Sequence, residues 1–259
     1  MTILPQIEEL EDIKYPSSDG KPMAESDITR FYLTYSVEAL EIYFQNQPDV
    51  YVSGNSFIYY EQGKPASVIA PDVYVVLGVR KRQRLSYKFW KEGGIPPAFV
   101  LEITSATTQE EDQEIKPEIY RALGVREYFQ YDPSGDYLNP ILQGVRLVNG
   151  QYEPIPANVN SFDNLWLVSE VLGLELRVIS GELRFRNPET GEFLRTHREL
   201  DRDLIQTQSA LQESQEARVK AEQSLRNIVH QLLNSGLNLE QVAQMIERPL
   251  DEVRILVGE

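Results

Sequence analysis

The chain has 259 residues, 41% of them hydrophobic and 25% charged, which is enough to bury a full core with room for one domain and an appendage. It has no cysteine, which excludes disulfides and thiolate metal sites, and its two histidines, His197 and His230, fall in the C-terminal third, so a metal in the core must take oxygen ligands, which favours Mg²⁺ or Mn²⁺. The net charge of −15 opposes nucleic-acid binding at long range.

Residues 1–14 are acidic, without the basic and apolar parts of a signal peptide, and read as a loose arm. No apolar run is long enough to span a membrane, so a cytoplasmic protein is expected. A turn-rich stretch then leads to Asp27 as the expected N-cap of a helix over 28–45, whose apolar residues Phe31, Leu33, Tyr35, Val37, Leu40 and Phe44 form one wide face. Residues 50–60 read as strand and turn, 61–67 as a hairpin connection, and VIAPDVYVVLGV as one strand too apolar to have a wet side. Residues 80–97 are a charged excursion carrying Arg80, Lys81, Arg82, Arg84, Lys88 and Lys91. They are either DNA contacts or ordinary surface charge.

AFVLEIT is the next buried strand. A helix through Leu123 follows, capped by Thr107 or Thr108 and ended by Gly124, with a kink or a fresh start expected at Lys116-Pro117 because proline lacks the N–H. VREYFQYD is a further strand, and short β runs over 135–185, turning at Gly150 and Gly181, extend the domain. The order strand, strand, helix, strand implies a mixed α/β sheet. From 197 to 233 glycine and proline vanish, and Leu204, Leu211, Leu225 and Leu232 keep heptad spacing: a long polar helix or a coiled coil, with a homodimer as one outcome. Residues 234–259 resemble a small helix-turn-helix, capped at Asn238. Its second helix opens on Asp251-Glu252, which favours packing over DNA reading.

The chemistry centres on Asp72 and Glu102, single acids on two apolar strands. Buried carboxylates are costly without a partner. Either Asp72 ends a strand and Glu102 pairs with a basic residue, or both hold a divalent cation, with the Ile103 carbonyl as a further ligand and a nearby lysine facing a phosphate. A two-carboxylate glycosidase would need sugar-stacking aromatics, and Trp90 is the only tryptophan nearby in sequence.

Four stretches are similar to one known pattern: Pro71-Asp72, VLEITSATT at 100–108, Asp112 with Lys116 and Tyr120, and GVREYFQYDP at 124–133. Together they resemble the Uma family of restriction-endonuclease-like proteins in the PD-(D/E)XK nuclease superfamily, over roughly residues 15–195. The resemblance implies a restriction-endonuclease-like mixed β-sheet core flanked by helices over 15–196, with the β extension, followed by the helical appendage at 197–233 and the tail at 234–259. It implies a Mg²⁺- or Mn²⁺-dependent DNA endonuclease in which Asp72 and Glu102 are metal ligands. Strict superfamily members carry lysine two residues after the second acid. Here that residue is Thr104, and the resemblance implies that Lys116 has taken the role. An accessory acid on the first helix would be Glu38, with Glu41 and Glu25 behind it, and Ser105 would cap or hydrogen-bond within the site. The alternative is a degenerate member that keeps the fold as a binding or assembly module without cleaving.

Overall fold

The computed structural model describes residues 13–17, 26–105, 108–160 and 164–258. Residues 1–12 of the expected arm, Glu25 and the candidate cap Thr107 lie outside them. The described chain divides into two compact units, Met1–His197 and Arg198–Glu259. Among the described residues no helix is long and apolar enough to cross a membrane.

The first unit opens with helix α1, Asp27–Tyr43. Its N-cap is Ser26, one residue before the expected Asp27: Ser26 is the extended residue, and its hydroxyl accepts the Thr29 N–H at 3.1 Å. The buried stripe is Tyr32, Tyr35, Ala39 and Leu40, and Phe31 faces solvent.

A six-stranded sheet follows in the order β1, β4, β6, β7, β8, β9, with β1 Val50–Ser53, β4 Val73–Leu77, β6 Phe99–Ile103, β7 Glu127–Tyr131, β8 Leu142–Val148 and β9 Gln151–Pro154. Within this sheet β6 and β7 are the parallel pair, and a helix joins them, because a parallel neighbour needs a crossover. The remaining pairs are antiparallel. The turn between β8 and β9 is Asn149-Gly150, both at positive φ, as a tight hairpin demands.

The apolar run 68–79 is two strands and not the single strand its composition suggests. β3, Val68–Ile69, pairs with β2, Ile58–Tyr59, in a separate small sheet completed by β5, Tyr87–Lys88. The break falls at Pro71, which cannot donate to a ladder. A four-stranded sheet holds β10 Asn158–Val159, β11 Leu165–Ser169, β12 Leu174–Ile179 and β13 Glu182–Arg186.

Strand alternation divides the core in two. Val73, Val75, Phe99, Leu101, Ile103 and Phe129 face α1 and the β11–β13 sheet. Tyr74, Val76, Val100 and Tyr128 point the other way, onto Tyr120 and Val125. Each fully buried Leu or Phe here contributes about 1.5–3 kcal/mol relative to exposure.

In the second unit, α3 spans His197–Asn234, α4 Leu239–Met245 and α5 Leu250–Val257. Asn238 caps α4 in a reciprocal box with Gln241. Val229, Val242, Ala243 and Val253 form a small core of their own, while Leu204, Leu211 and Ile228 are exposed on α3.

Candidate functional site: a buried cluster of three acids and one lysine

Asp72 immediately precedes β4, and the register Val73↔Leu101 continues to set it opposite Glu102. The two acids exchange hydrogen bonds with each other's strand: the Ile103 N–H donates to Asp72 Oδ2 at 2.8 Å, and the Asp72 N–H donates to Glu102 Oε2 at 3.2 Å. The approach of β1 makes this corner tight. A Cβ on Gly54 would lie 2.2 Å from the Asp72 carbonyl oxygen and 2.7 Å from Val37, so only glycine fits.

The chain leaving β6 turns at Ser105. Its carbonyl accepts the N–H groups of Thr108 and Gln109, and its hydroxyl meets that of Thr108 at 3.2 Å. The next turn, Glu111–Ile115, is π-helical, and α2, Lys116–Leu123, starts where Pro117 allows. The Lys116 N–H bonds the Glu111 carbonyl, a π-type bond. The corresponding partner for the Asp112 carbonyl would be residue 117, a proline without a donor. That carbonyl is instead taken by the Tyr128 hydroxyl at 2.7 Å and Gln130 Nε2 at 2.8 Å, both from β7. Asp112 is thereby tied to the sheet, and its carboxylate is fully buried. Gly124, at φ 84°, closes α2.

Lys116 Nζ lies 3.1 Å from Glu102 Oε2 and 2.8 Å from Asp112 Oδ1. The Tyr120 hydroxyl, one helical turn further on, donates to Glu102 Oε1 at 2.6 Å. Glu102 is 0% exposed and Lys116 7%. Burial pushes the Glu102 carboxyl up to about 8; Lys116 opposes this, while Asp72 and Asp112 add to it. Burial also raises Asp72, against the pull of the Ile103 N–H. For Lys116 burial disfavours the charge, but Glu102 and Asp112 outweigh it and hold the ammonium above its ordinary value. Burial raises Tyr120 well above its usual range, so it remains a donor.

Among the described residues no three acidic or histidine side chains stand in metal-holding geometry. Here the ammonium occupies the space between Glu102 and Asp112. Two observations nonetheless fit a divalent cation. Three carboxyl groups, from Asp72, Glu102 and Asp112, surround a single ammonium. Asp112 Oδ2 and the Thr104 hydroxyl, both buried, also have no hydrogen-bond partner, and Asp112 Oδ1 has only the Lys116 ammonium.

The structure brings Asp72, Glu102, Ile103 and Lys116 together and leaves others apart. Glu38 is on α1, which packs on the opposite face of the sheet, and it lines a surface depression with Glu41 and Gln45. Arg84 is not a free DNA contact: its side chain is 4% exposed, paired with Glu92 at 2.9 Å and stacked 4.2 Å over Tyr51. Arg82 also pairs with Glu92, Lys81 donates to the Phe44 carbonyl, and Lys88 sits over the Tyr15 ring. Arg80 is exposed. Arg82 and Arg84 line an open groove of about 770 Å³ along β1 with Tyr51, Ser53 and Gly54. Asp112 was part of the motif, but nothing in the sequence assigned it a place in the cluster.

The family profile described as "Uma2: Putative restriction endonuclease" matches residues 4–179, more than half of the chain. The chain belongs to the Uma2 family. A solved structure similar to it is described as a putative nuclease belonging to DUF820 from Anabaena variabilis ATCC 29413; the match has 14% identity, covers 57% of this chain and 82% of that one, and has a TM-score of 0.38. No curated protein matches the chain at a significant level. Membership in Uma2 thus attaches a putative restriction-endonuclease description to residues 4–179.

Proposed function

We propose that the chain is a divalent-metal-dependent DNA endonuclease with its site at Asp72, Glu102 and Lys116, working in the cytoplasm. The observation that carries this reading is the meeting of two strand-end acids, each bonded to the other's strand, with Lys116 in one buried cluster. The family description supports phosphodiester hydrolysis as the reaction and DNA as the substrate.

In this reading the Asp72 and Glu102 carboxylates and the Ile103 carbonyl hold Mg²⁺ or Mn²⁺, ions that favour oxygen donors. The bound ion supplies Lewis acidity at a phosphoryl oxygen and acidifies the attacking water. Lys116 brings its positive charge to the scissile phosphate. Tyr120 fixes the Glu102 side chain through Oε1, leaving Oε2 directed into the cluster. Thr104 replaces the strand lysine of strict superfamily members, and Ser105 braces the turn that leads to Lys116. Arg80, Lys81, Arg82 and Lys88 give a basic approach against the net charge, with Arg84 holding their loop in shape. The exposed Leu204, Leu211 and Ile228 of α3 support a second copy as a partner.

One observation favours the second reading, a module that keeps the fold without cleaving: the cluster is closed, with Lys116 already paired with two of its acids. Calorimetric titration of the full chain with MnCl₂ separates the two. The endonuclease binds the ion in the millimolar range or tighter and Asp72→Asn loses it, whereas the module binds none.

A further inference from the structure

Lys116 stands where the cation of the proposed reaction belongs. Its ammonium is 3.1 Å from Glu102 Oε2, an oxygen needed as a metal ligand, and a divalent ion on that oxygen would repel it at contact distance. The two cations cannot share Glu102 in this arrangement, so one must yield. What Lys116 can fall back on is Asp112, 2.8 Å away and four residues earlier.

Asp112 is suited to that part because its backbone is fixed independently of Lys116. Its carbonyl is clasped by Tyr128 and Gln130, and its N–H bonds the Thr108 carbonyl. Its carboxylate has no hydrogen-bond donor besides the Lys116 ion pair, and no exposure to water. The lysine stem has four rotatable bonds, so its ammonium can leave Glu102 without unwinding the π turn.

We propose that Asp112 is a positioning residue for Lys116 and that the two form a latch: the ammonium rests against both Glu102 and Asp112, and on uptake of a divalent ion it leaves Glu102 while staying paired with Asp112. The latch rests on the metal-dependent reading above. It accounts for a resting cluster that is closed and yet gathers three carboxyl groups around one ammonium. It also gives Lys116 a held position from which to meet a phosphate once the ion is in place.

The test is MnCl₂ titration calorimetry on the full chain at fixed pH, comparing wild type, Lys116→Met, Asp112→Asn and the double variant. Removing the competing ammonium tightens binding in Lys116→Met about tenfold or more. Asp112→Asn, which takes away the fallback, weakens binding about tenfold. The double variant matches Lys116→Met within about twofold, because Asp112 acts through Lys116. Lys116→Arg keeps the charge and grips both acids with a wider fork, so it binds Mn²⁺ more weakly than wild type; this variant carries the test if Lys116→Met does not fold. Unchanged or weaker binding in Lys116→Met overturns the latch while the metal reading stands. So does an Asp112→Asn loss that persists in the Lys116→Met background, which would make Asp112 a ligand, or wild-type affinity in Lys116→Arg. No binding in wild type and Lys116→Met alike removes both the latch and the metal-dependent reading.

Discussion

The Tyr120 hydroxyl donates to Glu102 Oε1 across 2.6 Å, with both side chains fully buried. It joins the helix to the strand it crosses over and assigns one carboxylate oxygen a structural partner. Tyr120→Phe removes the donor and leaves the ring packed on Tyr128 at 5.2 Å. The expected cost is about 1–3 kcal/mol, the penalty for a buried acceptor left unpaired. Urea unfolding of the variant checks it, and an unchanged midpoint would mean the bond contributes nothing net.

The raised Glu102 carboxyl gives the metal-free chain a distinctive pH profile. Glu102 titrates at about 8 when folded and at about 4.3 when unfolded. The folded state therefore binds the extra proton, and stability falls as pH rises through that interval before levelling off. The slope is at most about 1.4 kcal/mol per pH unit. Asp72, also raised, acts in the same direction. Asp132, Glu92 and Glu175 are held low, so their contributions fade only in more acidic solution. Urea midpoints at pH 5, 6, 7 and 8 in chelator should decline for wild type and flatten for Glu102→Gln. Equal stability at pH 5 and pH 8 would contradict the shift.

The basic segment divides into structural and free residues. Arg84→Ala should cost about 1–3 kcal/mol, because it leaves Glu92 with Arg82 alone and uncovers Tyr51. Arg80→Ala, at an exposed position, should leave stability within about 0.5 kcal/mol and weaken DNA binding with a shallower salt dependence. Thermal melts and DNA titrations at two salt concentrations distinguish them.

Asp72 and Glu102 were legible because each is a lone acid in an apolar strand, a pattern that needs a partner wherever it folds. The break at Pro71 was not, since an unbroken apolar run does not reveal that Val68 and Ile69 pair in another sheet. Pro117 announced an irregularity at Lys116. Its form, a π turn with the Asp112 carbonyl handed to Tyr128 and Gln130, depends on β7 lying beneath, which local spacing cannot tell. Glu38 shows the same limit: the pattern of α1 says which of its sides is buried, and not which face of the sheet it covers. Arg84 looked like its basic neighbours because its partners, Glu92 and Tyr51, are set by loop closure and not by composition.

Cleavage by the full chain is the most direct test of metal-dependent chemistry at Asp72 and Glu102. Supercoiled plasmid is incubated with wild type, Asp72→Asn and Glu102→Gln in MgCl₂ or MnCl₂, with a chelator control. Nicking or linearisation by wild type alone, lost in chelator and reduced at least about 100-fold in each variant, is the expected result, since each removed carboxylate takes away an interaction with the charged site. Equal cleavage by wild type and both variants, or none by wild type with either ion, would contradict it.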